Sequence, residues 1–434
     1  MFKRIYLGWP IVLLLSFIPV LLWVQAPSFS SRFISFSAGM ADLGRLFGLV
    51  GAAMFSVNLI LSARLHFVEK FFNGLNKVYI KHALVGKTAF VLMVLHPLFL
   101  SVRYSGGTFS GAIKFLSFGP FLPKTYGQIS LIIFIVLIVL TLYLRPKYNI
   151  WKWTHKFMGM AFFFASLHIW FIPSDVARYM PLRIYMLGLA GVGLAAYLYH
   201  TVFGWLLIRK FKYKVVNVIT LNSNIFEINM EPVNRVMQFI PGQFIFINFL
   251  DKNIGKESHP FSITSLPEDK KLSIISKTLG DHTSMLGNVL PGTIAKIEGP
   301  FGAFNYKNAK YKDQIWIARG IGITPFLSMA KSLKKEDGYN IDLYYCVKNQ
   351  GEAVHLSELE NITIVLSNKF KVIPIYSEQG VRIDAEAIKK TSGRLSSNND
   401  IFICAPPAMI KALKEQFAAK GISKKLIHSE EFNF

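Results

Sequence analysis

The sequence predicts a multi-domain protein: a six-helix transmembrane bundle, then a small β-barrel domain, then an α/β nucleotide-binding domain. Three observations carry that expectation. Long apolar runs are confined to the first half, charge is divided unevenly, and after about residue 211 the pattern changes to short strands that later alternate with helices. The domain boundaries predicted on this basis are 1–210, 211–308 and 309–434.

The chain has 434 residues and is 52% hydrophobic, against about 45–50% for ordinary soluble chains. Residues 1–210 contain 20 Lys and Arg but only three acids, Asp42, Glu69 and Asp175; residues 211–434 contain 28 and 22. The net charge of +23 therefore splits as +17 among the apolar runs and +6 in the second half. A basic chain invites a nucleic-acid reading, but here the charges sit in short loops between hydrophobic stretches, where the positive-inside rule explains them without a ligand. Two cysteines, Cys346 and Cys404, both in the second half, leave no disulfide framework for the first.

A spanning helix needs about 20 mostly apolar residues. Six stretches qualify, roughly 7–25, 44–63, 79–102, 128–144, 154–172 and 184–208. Lys3, Arg4, Arg64, Lys70, Lys77, Lys81, Arg145, Lys147, Lys152, Lys156, Arg209, Lys210, Lys212 and Lys214 fall on one side. Arg32, Arg103, Lys114, Lys124 and Arg178 fall on the other, in longer loops. The first side is expected to be cytoplasmic. That makes the protein a multi-pass plasma-membrane protein with both termini and the whole second half inside.

In the second half, Lys214–Met230 reads as two strands with a turn at Asn222–Asn224, Phe239–Phe249 as a strand entered by Pro241-Gly242, and Lys271–Lys277 as another. Gln314–Ala318 is an apolar strand followed by a glycine turn and a helix from about Pro325. Ile341–Val347, Lys371–Tyr376 and Asp400–Cys404 are further buried strands of a parallel sheet.

Histidine is costly in hydrocarbon and usually functional there. His82 and His96 are 14 residues apart in the third stretch; His155 and His168 are 13 apart in the fifth. At ~1.5 Å per residue these separations are about 21 Å and 19.5 Å, so each stretch places one histidine near either face. Two helices and two depths make two sites of two imidazoles. Such sites suit axial ligation of haem iron, with His82 and His155 at the inner site and His96 and His168 at the outer. One feature resists: at 100° per residue, 14 steps return to within about 40° of the same face, whereas 13 steps land about 140° away. The fifth helix must tilt or bend, or its haems must be laterally offset. Lys87 has two readings, as a partner of a haem propionate or as a snorkelling lysine.

Four further motifs follow in order: His259-Pro260-Phe261-Ser262-Ile263; Lys277-Thr278-Leu279-Gly280-Asp281-His282-Thr283; Glu298-Gly299-Pro300-Phe301-Gly302; and, directly after a strand, Ala318-Arg319-Gly320-Ile321-Gly322-Ile323-Thr324-Pro325-Phe326. A glycine turn that opens a helix lets backbone N–H groups approach a pyrophosphate. With these motifs and the histidine spacings, nearly the whole chain resembles the NADPH oxidase and ferric reductase superfamily, its short bacterial oxidases above all.

The resemblance implies cofactors and roles. FAD, two b-type haems and NADPH, or NADH, are expected. His82, His96, His155 and His168 match the haem ligands. His259, Pro260, Phe261 and Ser262 match residues along the flavin ring and ribityl chain, and Thr278, Gly280, His282 and Thr283 those near the flavin phosphates. Gly320, Gly322, Thr324 and Pro325 match the nicotinamide-nucleotide cradle. Cys404-Ala405-Pro406-Pro407 resembles the family's Cys-Gly-Pro beside the nicotinamide. Glu431-Phe432 resembles the end where an aromatic covers the flavin, with Phe434 as the alternative. Lys348 follows a strand where relatives often carry a base for the 2′-phosphate.

The implied activity is a superoxide-forming NAD(P)H oxidase that passes electrons outward to oxygen, with no obligatory regulatory subunit evident and no calcium-binding loop. A ferric reductase, or a donor to an external protein, uses the same core. Animal oxidases of this family pair an Arg and a His near the outer haem. Here Arg45 offers the Arg, either as part of an oxygen site or as a plain interfacial charge. Leu100 stands four residues past His96, where no histidine is present.

Overall fold

A computed structural model describes residues 7–144, 146–251, 254–255, 257–380, 382–393 and 395–431. The chain divides into two compact units, Met1–Ile208 and Arg209–Phe434.

The first unit is helical: α1 Gly8–Val24, α2 Phe36–Ser62, α3 His66–Phe72, α4 Leu75–Tyr104, α5 Phe109–Leu116, α6 Leu122–Val139, α7 Tyr148–His155, α8 Met158–Phe171, α9 Asp175–Arg178, α10 Met180–Tyr197 and α11 Gly204–Leu207. Among the described residues, four helical stretches are long and apolar enough to cross a membrane: Phe36–Ser62, Leu75–Tyr104, Leu122–Leu144 and Met180–Val202. The other two expected spans fall short. Helix α1 is apolar but has 17 residues, and the fifth stretch is divided into α7 and the 14-residue α8.

Small residues decide which helix is central. In lipid there is no hydrophobic drive between helices, so close backbone approach supplies the attraction. Helix α2 carries Gly51, Ala52 and Ala53, all buried, and α1, α4, α8 and α10 pack around it. Ser56 of α2 donates its hydroxyl to the Leu189 carbonyl of α10 at 2.5 Å. Gly193 of α10 lies against the same serine, where a β-carbon would come within 2.4 Å of its Oγ.

The break between α7 and α8 answers the rotational mismatch. Lys156 N bonds Trp153 O, Phe157 N bonds Thr154 O, Gly159 N bonds Lys156 O and Met160 N bonds Phe157 O, all i to i−3. Each such step turns about 120° rather than 100°. Four of them bring the His155–His168 mismatch to roughly 60°, near the ~40° of His82–His96.

The second unit holds two sheets. The first, antiparallel, has strands β1 Phe211–Asn222, β2 Ile225–Pro232, β3 Phe244–Phe249, β4 His259–Ser262, β5 Leu272–Lys277 and β6 Ile294–Phe301, in the order β4-β3-β6-β1-β2-β5. It is curled: one bridge between Ile263 and Ile274 links its two ends. Inward residues alternate along each strand and build one core from Val215, Ile228, Ile245, Ile247, Ile274 and Ile297. A short helix, α12 Asp281–Met285, follows β5.

The second sheet is parallel: β7 Asp313–Arg319, β8 Asn340–Val347, β9 Phe370–Tyr376, β10 Asp400–Cys404 and β11 Ile427–Glu430, in the order β11-β10-β7-β8-β9. Helices α13 Thr324–Lys331, α14 Leu356–Val365, α15 Ala385–Ser392 and α16 Pro407–Ala419 connect its strands. Both of its faces are covered by apolar clusters, which is why its strands read as unbroken hydrophobic runs. Ile225 and Ile275 of the curled sheet belong to one of those clusters, so the two lobes share a core.

Candidate functional site

Helices α4, α7 and α8 bring the four membrane histidines into two pairs. The ring centroids of His82 and His155 are 6.2 Å apart, and those of His96 and His168 6.3 Å. That is roughly what two imidazoles on opposite sides of one metal atom require, with metal–nitrogen bonds of ~2 Å. The backbone fixes the tautomers. Nδ1 of His82 faces Asn58 O at 3.1 Å, Nδ1 of His96 faces Gly44 O at 2.7 Å and Nδ1 of His168 faces Pro123 O at 2.7 Å. A carbonyl only accepts, so each Nδ1 carries the proton and each Nε2 keeps its lone pair. Nδ1 of His155 lies 3.4 Å from the Thr141 hydroxyl.

Glycines make room for the outer pair. A β-carbon on Gly48 would come within 2.6 Å of the His96 ring, and one on Gly127 within 2.9 Å of the His168 ring. Among the described residues no cluster of three or more His, Cys, Asp or Glu could hold a metal ion. Paired imidazoles that supply only two ligands fit a metal whose other positions are filled by its own macrocycle. Between the two levels, Phe134 of α6 stacks on Phe55 of α2 at 4.4 Å, and Phe162 of α8 lies tilted against the same ring at 4.9 Å. Lys87 is exposed on the same outward side of α4 as Leu84 and Val91, away from His82, which favours the snorkelling reading.

In the curled sheet, strand alternation sorts the His259–Ser262 motif. Phe261 turns into the lobe's core with Ile263, so its ring does not lie on the side that Pro260 and Ser262 share. Ser262 and Thr264 are buried, and neither hydroxyl has a partner among the described residues. Two such groups on one side of a strand suit a ligand that carries its own donors and acceptors. His259 stacks on His282 at 3.8 Å, joining two of the four motifs, and pairs with Glu257 at 3.1 Å. Thr278 donates its N–H to Asn224 O. The Thr283 hydroxyl receives the Leu279 and Gly280 N–H groups and so shapes its own turn.

The strand order of the parallel sheet reverses between β7 and β10, and ligands of such sheets bind at the carboxyl ends of the strands there. The Gly320–Ile323 turn follows β7 and Cys404 ends β10, so the topology brings the two motifs together. A β-carbon on Gly322 would come within 2.2 Å of Cys404 O. Gly320 has φ +53°, the left-handed region. Thr324 and Pro325 open α13, with the Thr324 hydroxyl bonded to Ile321 O. Burial pushes the Cys404 thiol well above its ordinary pKa, and Glu430 on β11 adds to the effect. The thiol is therefore held in its neutral form. Lys348 is exposed just past β8.

Family models match along the chain in a matching order. A ferric reductase like transmembrane component covers residues 47–166, an FAD-binding domain 210–311 and an oxidoreductase NAD-binding domain 316–415. The chain therefore carries a ferric-reductase-like transmembrane component followed by FAD- and NAD-binding domains, and NADPH oxidases are among the proteins it is similar to. A superoxide-generating NADPH oxidase heavy chain of Dictyostelium discoideum is 26% identical over 241 residues, 50% of this chain and 33% of that protein. NADPH oxidase 1 of Mus musculus is 32% identical over 127 residues, 28% and 21%. Ferric reduction oxidase 8 of Arabidopsis thaliana is 28% identical over 224 residues, 44% and 31%. The chain spans between about a fifth and a third of the length of these relatives. Among solved structures, a ferredoxin NADP+ reductase from Neisseria gonorrhoeae with bound FAD and NADP is similar over 52% of this chain and all of that one, at 19% identity and a TM-score of 0.46.

The matched domains make the chain an oxidoreductase with FAD- and NAD-binding domains behind a membrane-type component. Two residues important to its site lie beyond the reach of sequence reasoning. Glu430 is buried beside Cys404, its register partner across β10 and β11, and no motif marks it. Asp42 binds Arg45 at 2.5 Å and also accepts the Phe33 N–H. The Arg45 charge is therefore matched by an acid one turn away. Phe432 and Phe434 lie outside the described residues.

Proposed function

We propose that this chain carries electrons from cytoplasmic NAD(P)H through FAD and two b-type haems to oxygen outside the plasma membrane, forming superoxide. The observation that carries the reading is the pairing of four imidazoles, His82 with His155 and His96 with His168, at 6.2 and 6.3 Å. The spacing is repeated at both levels, and in three of the four a backbone carbonyl fixes the Nε2 lone pair for a metal. When bound, FAD accepts the hydride pair and releases single electrons, which haem carries one at a time.

In this reading the chain's residues supply position and environment. Gly322 and Cys404 shape the nicotinamide cradle, and Ser262 and Thr264 offer hydroxyls to the flavin. Lys348 meets a 2′-phosphate when NADPH is used. Helix α1 and the α7–α8 pair complete six spans, with both termini in the cytoplasm. Likeness to superoxide-generating relatives supports oxygen as acceptor.

A second reading, reduction of external ferric chelates, is favoured by the matched charge of Arg45 and by Leu100 in place of a histidine. One experiment separates them. The purified protein, supplied with FAD and NADPH, reduces cytochrome c, and superoxide dismutase is added. Abolition of the signal supports the oxidase. An unchanged rate overturns it in favour of direct reduction.

A further inference from the structure

The two lobes of the second unit meet at an ion-pair cluster that lies off the electron path. His355 precedes α14, with its backbone in the left-handed region at φ 59°. Its Nδ1 lies 2.8 Å from a Glu358 carboxylate oxygen on α14, and its Nε2 3.2 Å from a Glu227 carboxylate oxygen on β2 of the curled sheet. With one carboxylate hydrogen-bonded to Nδ1 and a second 3.2 Å from Nε2, the ring is flanked by negative charge on both sides, which favours its doubly protonated, positive form. Lys331, on the helix that follows the glycine turn, pairs with Glu358 at 3.1 Å. An unbroken line of charges thus runs from the nucleotide turn's helix, through Glu358 and His355, to the flavin lobe. Beside it, Lys277 of β5 pairs with Glu352 at 3.4 Å, and Asn222 donates to Gly351 O at 3.2 Å.

We infer that His355 is a positioning residue for hydride transfer: by joining Glu227 of the flavin lobe to Glu358 of the nucleotide lobe, it sets how the nicotinamide meets the flavin. A misplacement of about 1 Å between reacting groups costs up to ~10²-fold in rate, so a joint between the two lobes acts on the chemical step. The inference requires only the FAD- and NAD(P)H-binding domains and is independent of the final acceptor.

The cluster also sets a pH window. Burial lowers the affinity of His355 for its proton, but the hydrogen bonds and charges of Glu227 and Glu358 outweigh that and raise its pKa to about 9. A raised pKa means that the joint is complete below the ordinary value of ~6.5 and is lost as pH rises through about 9. Lys331, Lys277 and Glu352 are the other charged groups facing the cluster.

The test is stopped-flow reduction of the flavin by saturating NADH or NADPH in the full-length, FAD-loaded protein from pH 6 to 10. The wild-type rate should fall as pH passes about 9. His355→Gln should lower the neutral-pH rate about tenfold, more in kcat than in KM, and abolish the alkaline fall. His355→Arg should restore the rate and hold it to the top of the range. Glu227→Gln should move the fall to lower pH, and it decides the matter if His355→Gln does not retain FAD. An alkaline fall that persists unchanged in His355→Gln, or in Glu227→Gln, would overturn the inference. So would His355→Arg that binds FAD yet keeps the Gln rate.

Discussion

Gly322 faces the Cys404 carbonyl oxygen so closely that a β-carbon on it would stand 2.2 Å away. The two residues belong to different strand ends, one after β7 and the other closing β10, and their approach shapes the turn at the point where the sheet changes direction. Gly322→Ala must therefore open the turn. The expected outcome is loss of NAD(P)H-dependent flavin reduction by ~10²-fold, with haem reduction by dithionite unaffected. Equal loss in both assays would show that the turn matters for folding rather than for the nucleotide.

Gly48 and Gly127 crowd only the outer imidazoles. Gly48→Ala or Gly127→Ala should displace His96 or His168 and remove one haem while the inner site keeps its own. The haem-to-protein ratio from a pyridine haemochrome assay checks this. Retention of both haems would mean that the helices shift apart at little cost.

Asp42 holds the charge of Arg45 in check. Asp42→Asn keeps an acceptor for the Phe33 N–H but removes the carboxylate paired directly with Arg45, leaving Asp175 as its remaining acidic neighbour. At low ionic strength the rate with an anionic ferric chelate should rise severalfold, and the gain should vanish near 1 M salt, where the screening length is ~3 Å. The rate with oxygen, a neutral acceptor, should stay level. A rise with both acceptors would argue against a charge effect.

Burial, partly offset by Arg319, pushes the Cys346 thiol up to about 12, and Cys404 is likewise held protonated. Both should resist iodoacetamide at pH 8 in the folded protein and react once it is unfolded, as peptide mass spectrometry can follow. Rapid labelling of native Cys404 would place it in the open rather than in the wall of the cradle.

Much of this arrangement is legible in the residues. The strands of the parallel sheet are unbroken apolar runs because both faces are covered, and runs of that kind stand out without any partner in view. The histidine pairs are legible because their cost in hydrocarbon makes each conspicuous and the spacings give depth. Strand β11 is not legible: His428 and Ser429 interrupt any apolar pattern, and its place is set by pairing with β10. Glu430 and Asp42 stay hidden for a related reason. A buried carboxylate shows itself only through what stands opposite it, and that is fixed by a fold rather than by a neighbour in the chain.

The short run of i to i−3 bonds at Trp153–Met160 has a wider consequence. In α4 one continuous helix sets both depth and azimuth for His82 and His96, so a single inserted residue would swing one imidazole by about 100° relative to the other. The fifth stretch divides the task. Its overwound turn supplies the missing rotation and α8 supplies the depth, so phase and distance there are two separate adjustments. This part of the protein can accommodate an odd spacing that the third stretch would have to reject.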